Sequence, residues 1–170
     1  FAASTSSAGE ATTPHNIVVN LGGGSALQVT VDYTVTGGTA AGSGTDFTLA
    51  NGTLTFAPGT TSMTISPAIV NDSIYEGNET ITLSISNPTN ATLGAQQTHT
   101  HTITDDETQP TVQYAAATSS AAENVTPHDI VVNLSGTSST QITVAYATTG
   151  GTATGSGTDY TLAGGTLTFA

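Results

Sequence analysis

The chain has 170 residues; twelve are Asp or Glu and none is Lys, Arg, Cys or Trp, so its formal net charge is −12. Without basic side chains to contact phosphate groups, it is a poor partner for nucleic acid or for an anionic membrane surface. No apolar run is long enough to span a bilayer, and no signal peptide is visible, so we take the chain as a mature or excised segment. The complete absence of Lys and Arg also leaves no trypsin sites, which favours an extracellular, cell-surface setting.

The composition predicts an all-β protein. Thr, Gly, Ala and Ser dominate, Val and Ile mostly alternate with Thr, and no stretch has the spacing of an amphipathic helix. Turns rich in Gly and Pro separate the predicted strands. In chain order these strands are His15–Leu21, Leu27–Val35, Thr53–Ala57, Ser62–Val70, Glu79–Ser86 and Thr98–Thr104, with Phe1–Ser6 as a candidate seventh. Seven short strands in about a hundred residues predict an antiparallel sandwich of immunoglobulin-like type.

The sequence contains an internal repeat. FAASTSSAGEATTPHNIVVNL at the start returns as YAAATSSAAENVTPHDIVVNL from Tyr114, and 40 of the 57 residue pairs related by an offset of 113 are identical. We therefore expect tandem sandwiches, with repeat one at residues 1–108, a linker at 109–111 and the first half of repeat two at 112–170. Half a sandwich exposes core residues and strand edges, so its remainder is expected from a longer array or from another chain.

Acidic residues cluster in two segments. Residues 70–80, VNDSIYEGNET, carry three carboxylates, and TDDET at residues 104–108 carries three more. Carboxylates that are brought within a few ångströms of one another repel, and this chain has no basic side chain to relieve that repulsion. A hard cation with oxygen ligands, such as Ca²⁺, would supply the missing charge. The alternative is that the acidic side chains fan out into solvent on separate loops.

The same segments resemble the Calx-β family. The resemblance rests on GTDFTLANGTLTFAPGTTSMTISPAIVNDSIYEGNETITLSISNPTNATLG, Gly44–Gly94, and on the closing ITDDE. It implies an immunoglobulin-like sandwich that, in some members, binds Ca²⁺ at one end. The ligands that it implies are Glu10, Asp46, Asp72, the carbonyl of Ile74, Glu76, Glu79, Asp105 and Asp106, with Glu107 as a further candidate. Glu123 and Asp159 occupy the positions of Glu10 and Asp46 in repeat two, so a second site is predicted there.

Other motifs carry weaker signals. His99 and His101 share one face of the last predicted strand, but zinc is disfavoured because no third ligand is evident. His15 and its repeat, His128, follow proline and are explained by a strand start. Asn90 and Asn133 open the more favourable glycosylation sequons. No arrangement typical of a catalytic triad is present, and the chain is not expected to be an enzyme.

These observations predict an extracellular structural or adhesive repeat protein. In this hypothesis the chain is a Ca²⁺-stiffened segment of a stalk or filament at a cell surface, and its partners are neighbouring repeats or identical chains in a linear array. Two alternatives remain open. One is a Ca²⁺-sensing regulatory domain attached to a transporter or enzyme, and the other is a metal-free spacer.

Overall fold

The computed structural model describes all 170 residues, which form strands and loops without a helix. No helix of the length and apolarity needed to cross a bilayer is therefore present. The chain divides into two compact units, Phe1–Glu107 and Thr108–Ala170. The first unit contains β1 (Thr5–Gly9), β2 (Ile17–Asn20), β3 (Val29–Gly38), β4 (Phe47–Thr48), β5 (Gly52–Phe56), β6 (Ser62–Ile65), β7 (Ala68–Ile69), β8 (Ile74–Tyr75), β9 (Glu79–Thr89) and β10 (Thr98–Thr104). The second contains β11 (Val112–Tyr114), β12 (Val132–Leu134), β13 (Thr137–Ser138), β14 (Ile142–Tyr146) and β15 (Gly165–Phe169).

The main sheet of the first unit has five strands in the order β1-β10-β9-β3-β5. Strands β10, β9, β3 and β5 pair antiparallel, whereas β1 runs parallel to β10. The second layer consists of the antiparallel pairs β2–β6 and β4–β7. The two layers form an immunoglobulin-like sandwich, which confirms the predicted fold class, although the parallel pairing of β1 was not predicted.

A single apolar core joins the two layers. The core arises from the alternation of side chains along each strand. In β10, THTHTIT, every second side chain points inward and the threonines between them face outward. Ile81 and Leu83 of β9 lie at the centre and have no solvent exposure. The other buried apolar side chains are Ile17, Val19, Val29, Val31, Phe47, Leu54, Phe56, Ile65 and Ile103.

Several strand boundaries differ from the predicted ones, each for a local reason. The predicted strand Ser62–Val70 is two strands, because Pro67 has no N–H to donate and interrupts the ladder. Strand β3 continues to Gly38, whose φ of +123° suits glycine. The first strand is Thr5–Gly9 rather than Phe1–Ser6. Strands β4 and β8 have two residues each, too few to form a recognisable pattern.

The second unit repeats the sequence of the first but not its burial. Its described pairs are β11–β12 and β14–β15, both antiparallel. Ile130 is 56% exposed, whereas Ile17, its counterpart in the first repeat, is 1% exposed. None of the residues 108–170 is fully buried. The core that positions a site is therefore in the first unit.

Candidate metal centre

Three acidic segments meet where β1, β10 and β9 end or begin. The parallel register pairs Gly9 with Thr104, so Glu10 and Asp105 follow their strands side by side. The antiparallel register pairs Ile103 with Glu79, which places the start of β9 at the same edge of the sheet. The ladder itself therefore brings carboxylates together that are distant in sequence.

One group of carboxylates, here called the first trio, consists of Glu10, Asp106 and Glu107. One carboxylate oxygen from each residue lies within 4.8 Å of the others. Burial, followed by repulsion from Glu107, Asp105, Asp72 and Asp106, raises the pKa of Glu10 to about 7. Oε2 of Glu107 is buried and has no hydrogen-bond partner. An unpartnered buried oxygen beside two further carboxylates is a favourable position for a cation.

The second trio consists of Asp46, Glu76 and Glu79, whose carboxylate oxygens also lie within 4.8 Å of one another. Asp46 is buried, and its Oδ2 accepts a hydrogen bond from the backbone N–H of Ala41, which fixes its orientation. Burial, a hydrogen bond with Asp46 and repulsion from the neighbouring acids raise the pKa of Glu79 to about 7. Burial and repulsion from Asp46 also raise the pKa of Glu76.

Asp105 accepts hydrogen bonds from the backbone of residues that belong to, or lie next to, both trios. Its Oδ2 accepts from the backbone N–H groups of Glu76 (2.9 Å) and Gly77 (2.5 Å), and its Oδ1 accepts from that of Glu107 (3.0 Å). Burial acts to raise the pKa of Asp105, but these three backbone donors outweigh it, and the net pKa is lowered. Asp105 therefore stays ionised while Glu10 and Glu79 tend to hold protons.

The remaining predicted ligands lie outside the two trios. Oδ1 of Asp72 accepts a hydrogen bond from the N–H of Ile74 at 2.7 Å, and the role of the Ile74 carbonyl stays a prediction. Glu123 and Asp159 are both exposed, and neither belongs to a cluster of three neighbouring carboxylates. Asp159 does repeat the geometry of Asp46, because its Oδ2 accepts from the N–H of Thr154 at 2.6 Å.

The histidines occupy a different setting from the predicted one. Nε2 of His99 and Nδ1 of His101 each lie 2.7 Å from Oγ of Ser6, so the two rings share a hydroxyl group. His15, predicted only to mark a strand start, is buried against His101. Sequence reasoning missed this third imidazole because residues 15 and 101 are far apart in the chain.

The predicted glycan sites differ in their accessibility. The amide nitrogen of Asn90, which a glycan would occupy, donates to the carbonyl of Gln28 at 2.9 Å. Asn133 is exposed on β12. Glycosylation of either residue stays a prediction.

Solved structures similar to this chain include calcium-binding domains. The crystal structure of the calcium binding domain CBD12 of CALX1.1 matches with a TM-score of 0.56 and 26% identity, covering 61% of this chain and 42% of that one. The apo form of the Calx CBD1 domain matches with a TM-score of 0.55 and 26% identity, covering 61% of this chain and 91% of that domain. The match therefore spans nearly the whole of one such domain.

The curated relatives are sodium/calcium exchangers by name. Sodium/calcium exchanger 1 of Bos taurus is 28% identical and that of Rattus norvegicus 27% identical, in each case over 89% of this chain. The chain spans 17% of the length of these relatives. The predicted extracellular, cell-surface location is wrong, because the chain is similar to exchangers and Calx calcium-binding domains rather than to extracellular surface proteins. A lack of basic residues affects solubility and association and does not determine the compartment.

The family comparison covers the whole chain. The model of the Calx-beta domain matches twice, at residues 1–107 and at residues 105–170. Together with the sandwich fold and the carboxylates gathered at one edge of its main sheet, this shows that the chain belongs to the Calx-beta domain family.

Proposed function

We propose that the first repeat binds Ca²⁺ through the two trios and acts as a calcium-sensing regulatory module within a larger protein. The observation that carries this proposal is the assembly of six carboxylates in two close groups in a chain without Lys or Arg. No side chain in the sequence carries a permanent positive charge that could neutralise them. Calcium would supply that charge and would replace the protons that raised pKa values favour on Glu10 and Glu79.

The donor set fits this ion. Every candidate ligand is a carboxylate oxygen, as a hard cation prefers, and the trios contain no sulfur or imidazole. Glu107 offers a buried oxygen that has no other partner, and Asp46 is already held by a backbone donor. Glu10, Asp106 and Glu107 would hold one ion, and Asp46, Glu76 and Glu79 a second.

A sensing role is supported by the irregular backbone that carries the carboxylates on both sides of β8. Residues 71–73 and 76–78 flank the short strand β8 without regular ladder pairing, and Asp105 secures only part of this segment. In the absence of metal the carboxylates repel one another across this segment, and metal would draw them together. The names of the matched structures, which describe calcium-binding domains, agree with this role.

Thermal unfolding of the whole chain in Ca²⁺ and in chelator tests the proposal. We expect a higher melting temperature in Ca²⁺, since a ligand at 100 times its Kd stabilises the native state by about 2.7 kcal/mol. Glu79→Gln should lose part of this gain yet be at least as stable as the wild type in chelator, because it removes repulsion. Asp129→Asn, an exposed carboxylate of the second unit, is the matched control and should change neither value.

Two results would contradict the metal role. One is the absence of any shift on adding Ca²⁺, which would leave the metal-free spacer. The other is an equal loss of stability for Glu79→Gln in both buffers, which would assign Glu79 to the fold alone.

The tandem repeat supports a second candidate function, a calcium-stiffened segment of a repeat array. The acidic run Asp105–Glu107 precedes the second repeat by a few residues in the sequence, so a cation there would restrain the connecting segment. Small-angle scattering of the chain separates the two functions. A stiffened segment predicts a longer maximum dimension in Ca²⁺ than in chelator, and a sensor predicts slower hydrogen exchange confined to residues 70–80 and 104–108.

A further inference from the structure

Three buried histidines and one serine form a continuous chain of contacts beneath the main sheet. The carbonyl of Ala3 accepts from Nδ1 of His99 at 2.8 Å, and Nε2 of His99 lies 2.7 Å from Oγ of Ser6. The same Oγ lies 2.7 Å from Nδ1 of His101. Nε2 of His101 lies 2.7 Å from Nδ1 of His15, whose Nε2 is 3.1 Å from the carbonyl oxygen of Gly9. This row of four side chains therefore makes five contacts and ends at a carbonyl oxygen on each side.

When the four side chains are neutral, they have fewer protons than there are contacts between them. Each hydrogen bond needs one proton, so five contacts need five. A neutral imidazole carries one N–H and a serine carries one O–H, which gives four. The carbonyls at both ends only accept. One contact would then bring two lone pairs together at hydrogen-bond distance in a buried site, which is costly.

We propose that Ser6, His15, His99 and His101 form a buried relay that binds one excess proton and shares it among the three imidazoles. With five protons every contact has one donor and one acceptor. Donors and acceptors can be assigned in this way with the charge on His99, on His101 or on His15. Reversing the hydrogen bonds between two rings moves the charge from one ring to the other. The relay is thus a proton-binding site, and it supplies an internal positive charge to a chain that has no Lys or Arg.

The surroundings of the relay are apolar. On β9, the residues paired with His99 and His101 are Leu83 and Ile81, which are apolar and fully buried. Burial, followed by repulsion from His15 and His99, lowers the pKa of His101 to about 4. Burial thus opposes a charge on His101, and the five hydrogen bonds of the relay are the contacts that would stabilise the excess proton.

Few other ionisable groups adjoin the relay. The ring of Phe1 packs on His99 with 5.4 Å between ring centroids, and the Phe1 ammonium donates to the carbonyl of Gln96. At the other end of the relay, Glu10 follows Gly9 in the sequence. No carboxylate accepts a hydrogen bond from the three rings, so the relay's positive charge has no hydrogen-bonded counter-ion.

Nitrogen-15 NMR of the histidine rings in the whole chain tests the proposal. At pH 7 a free imidazole, with a pKa of about 6.5, is mostly neutral. His128 is exposed and provides the reference within the same sample. We expect the six ring nitrogens of the relay to carry four protons at pH 7. Three protons on the six nitrogens would overturn the proposal.

Ser6→Ala provides a variant with a different proton count. It removes the two central contacts and leaves three: His99 with Ala3, His101 with His15, and His15 with Gly9. Three neutral imidazoles supply the three protons, so no excess proton is needed. We expect this variant to show three protonated nitrogens at pH 7, whereas Ser7→Ala, at an exposed position of the same strand, retains four. Retention of the fourth proton in Ser6→Ala would refute the counting argument.

Discussion

Oδ2 of Asp105 accepts a hydrogen bond of 2.5 Å from the backbone N–H of Gly77, and the same oxygen accepts from Glu76. This relationship connects the segment after β10, which supplies Asp106 and Glu107, to the loop before β9, which supplies Glu76. Asp105 was predicted as a metal ligand. In the structure its two oxygens accept hydrogen bonds from three backbone N–H groups, and its role as a ligand stays a prediction.

The first prediction concerns this connection. Asp105→Ala leaves three backbone N–H groups without their acceptor, and we expect a loss of about 1–3 kcal/mol in the free energy of unfolding for each group that stays unsatisfied. Asp105→Asn retains one acceptor oxygen and should lose less. Urea unfolding in chelator measures both values without a contribution from metal. Equal stability of Asp105→Ala and the wild type would show that water replaces the carboxylate at no cost.

The second prediction concerns protons and calcium at the trios. Glu10 and Glu79 have folded pKa values of about 7, above the ordinary glutamate value of about 4.3. In chelator their contribution to stability is complete below pH 4.3 and is lost as the pH rises through 7. Ca²⁺ binding at pH 6.5 should then release protons, measured calorimetrically in buffers of different ionisation enthalpy. Binding heats that do not depend on the buffer would contradict the raised pKa values.

The third prediction compares two adjacent glycines. Gly38 has a φ of +123°, and a Cβ there would lie 2.0 Å from the carbonyl oxygen of Thr80. A Cβ on Gly37 would meet nothing within 4 Å. We expect Gly38→Ala to destabilise the protein by more than about 1 kcal/mol, and Gly37→Ala to have a smaller effect of either sign. Thermal unfolding of the two variants provides the measurement, and equal melting temperatures would argue against the close approach of β3 and β9.

The fourth prediction uses two leucines with opposite exposure. Leu83 is fully buried at the centre of β9, whereas Leu27 is 61% exposed. Leu83→Ala should lower the free energy of unfolding by about 2–5 kcal/mol, and Leu27→Ala should change it by less than about 0.5 kcal/mol. Denaturant unfolding measures both. Similar losses for the two variants would be inconsistent with a single core between the layers.

The fold was largely predictable because its main strands follow a period of two. Thr98–Thr104 was predicted with the observed boundaries, since HTHTI alternates without interruption. Strands of two residues, such as Phe47–Thr48, have no period to detect. Local patterns also cannot show that β1 lies parallel to β10, because that pairing depends on the order of strands in the sheet.

The candidate site was predictable as a set of acidic residues but not as an arrangement. Composition indicates that six or more carboxylates lack counter-charges. Only the ladder register, Gly9 with Thr104 and Ile103 with Glu79, shows which carboxylates meet. Asp105 accepts backbone hydrogen bonds, whereas Glu107 has an oxygen without a partner. This difference depends on side-chain directions that the sequence does not specify.

Strand β10 carries His99 and His101 on its inward face and leads directly into Asp105–Glu107. This seven-residue strand thus joins the proposed proton relay to the proposed calcium site. By thermodynamic reciprocity, any factor by which calcium alters proton uptake at the histidines is the factor by which acidity alters calcium affinity. A measured coupling would make acidity and calcium concentration a joint input to this domain.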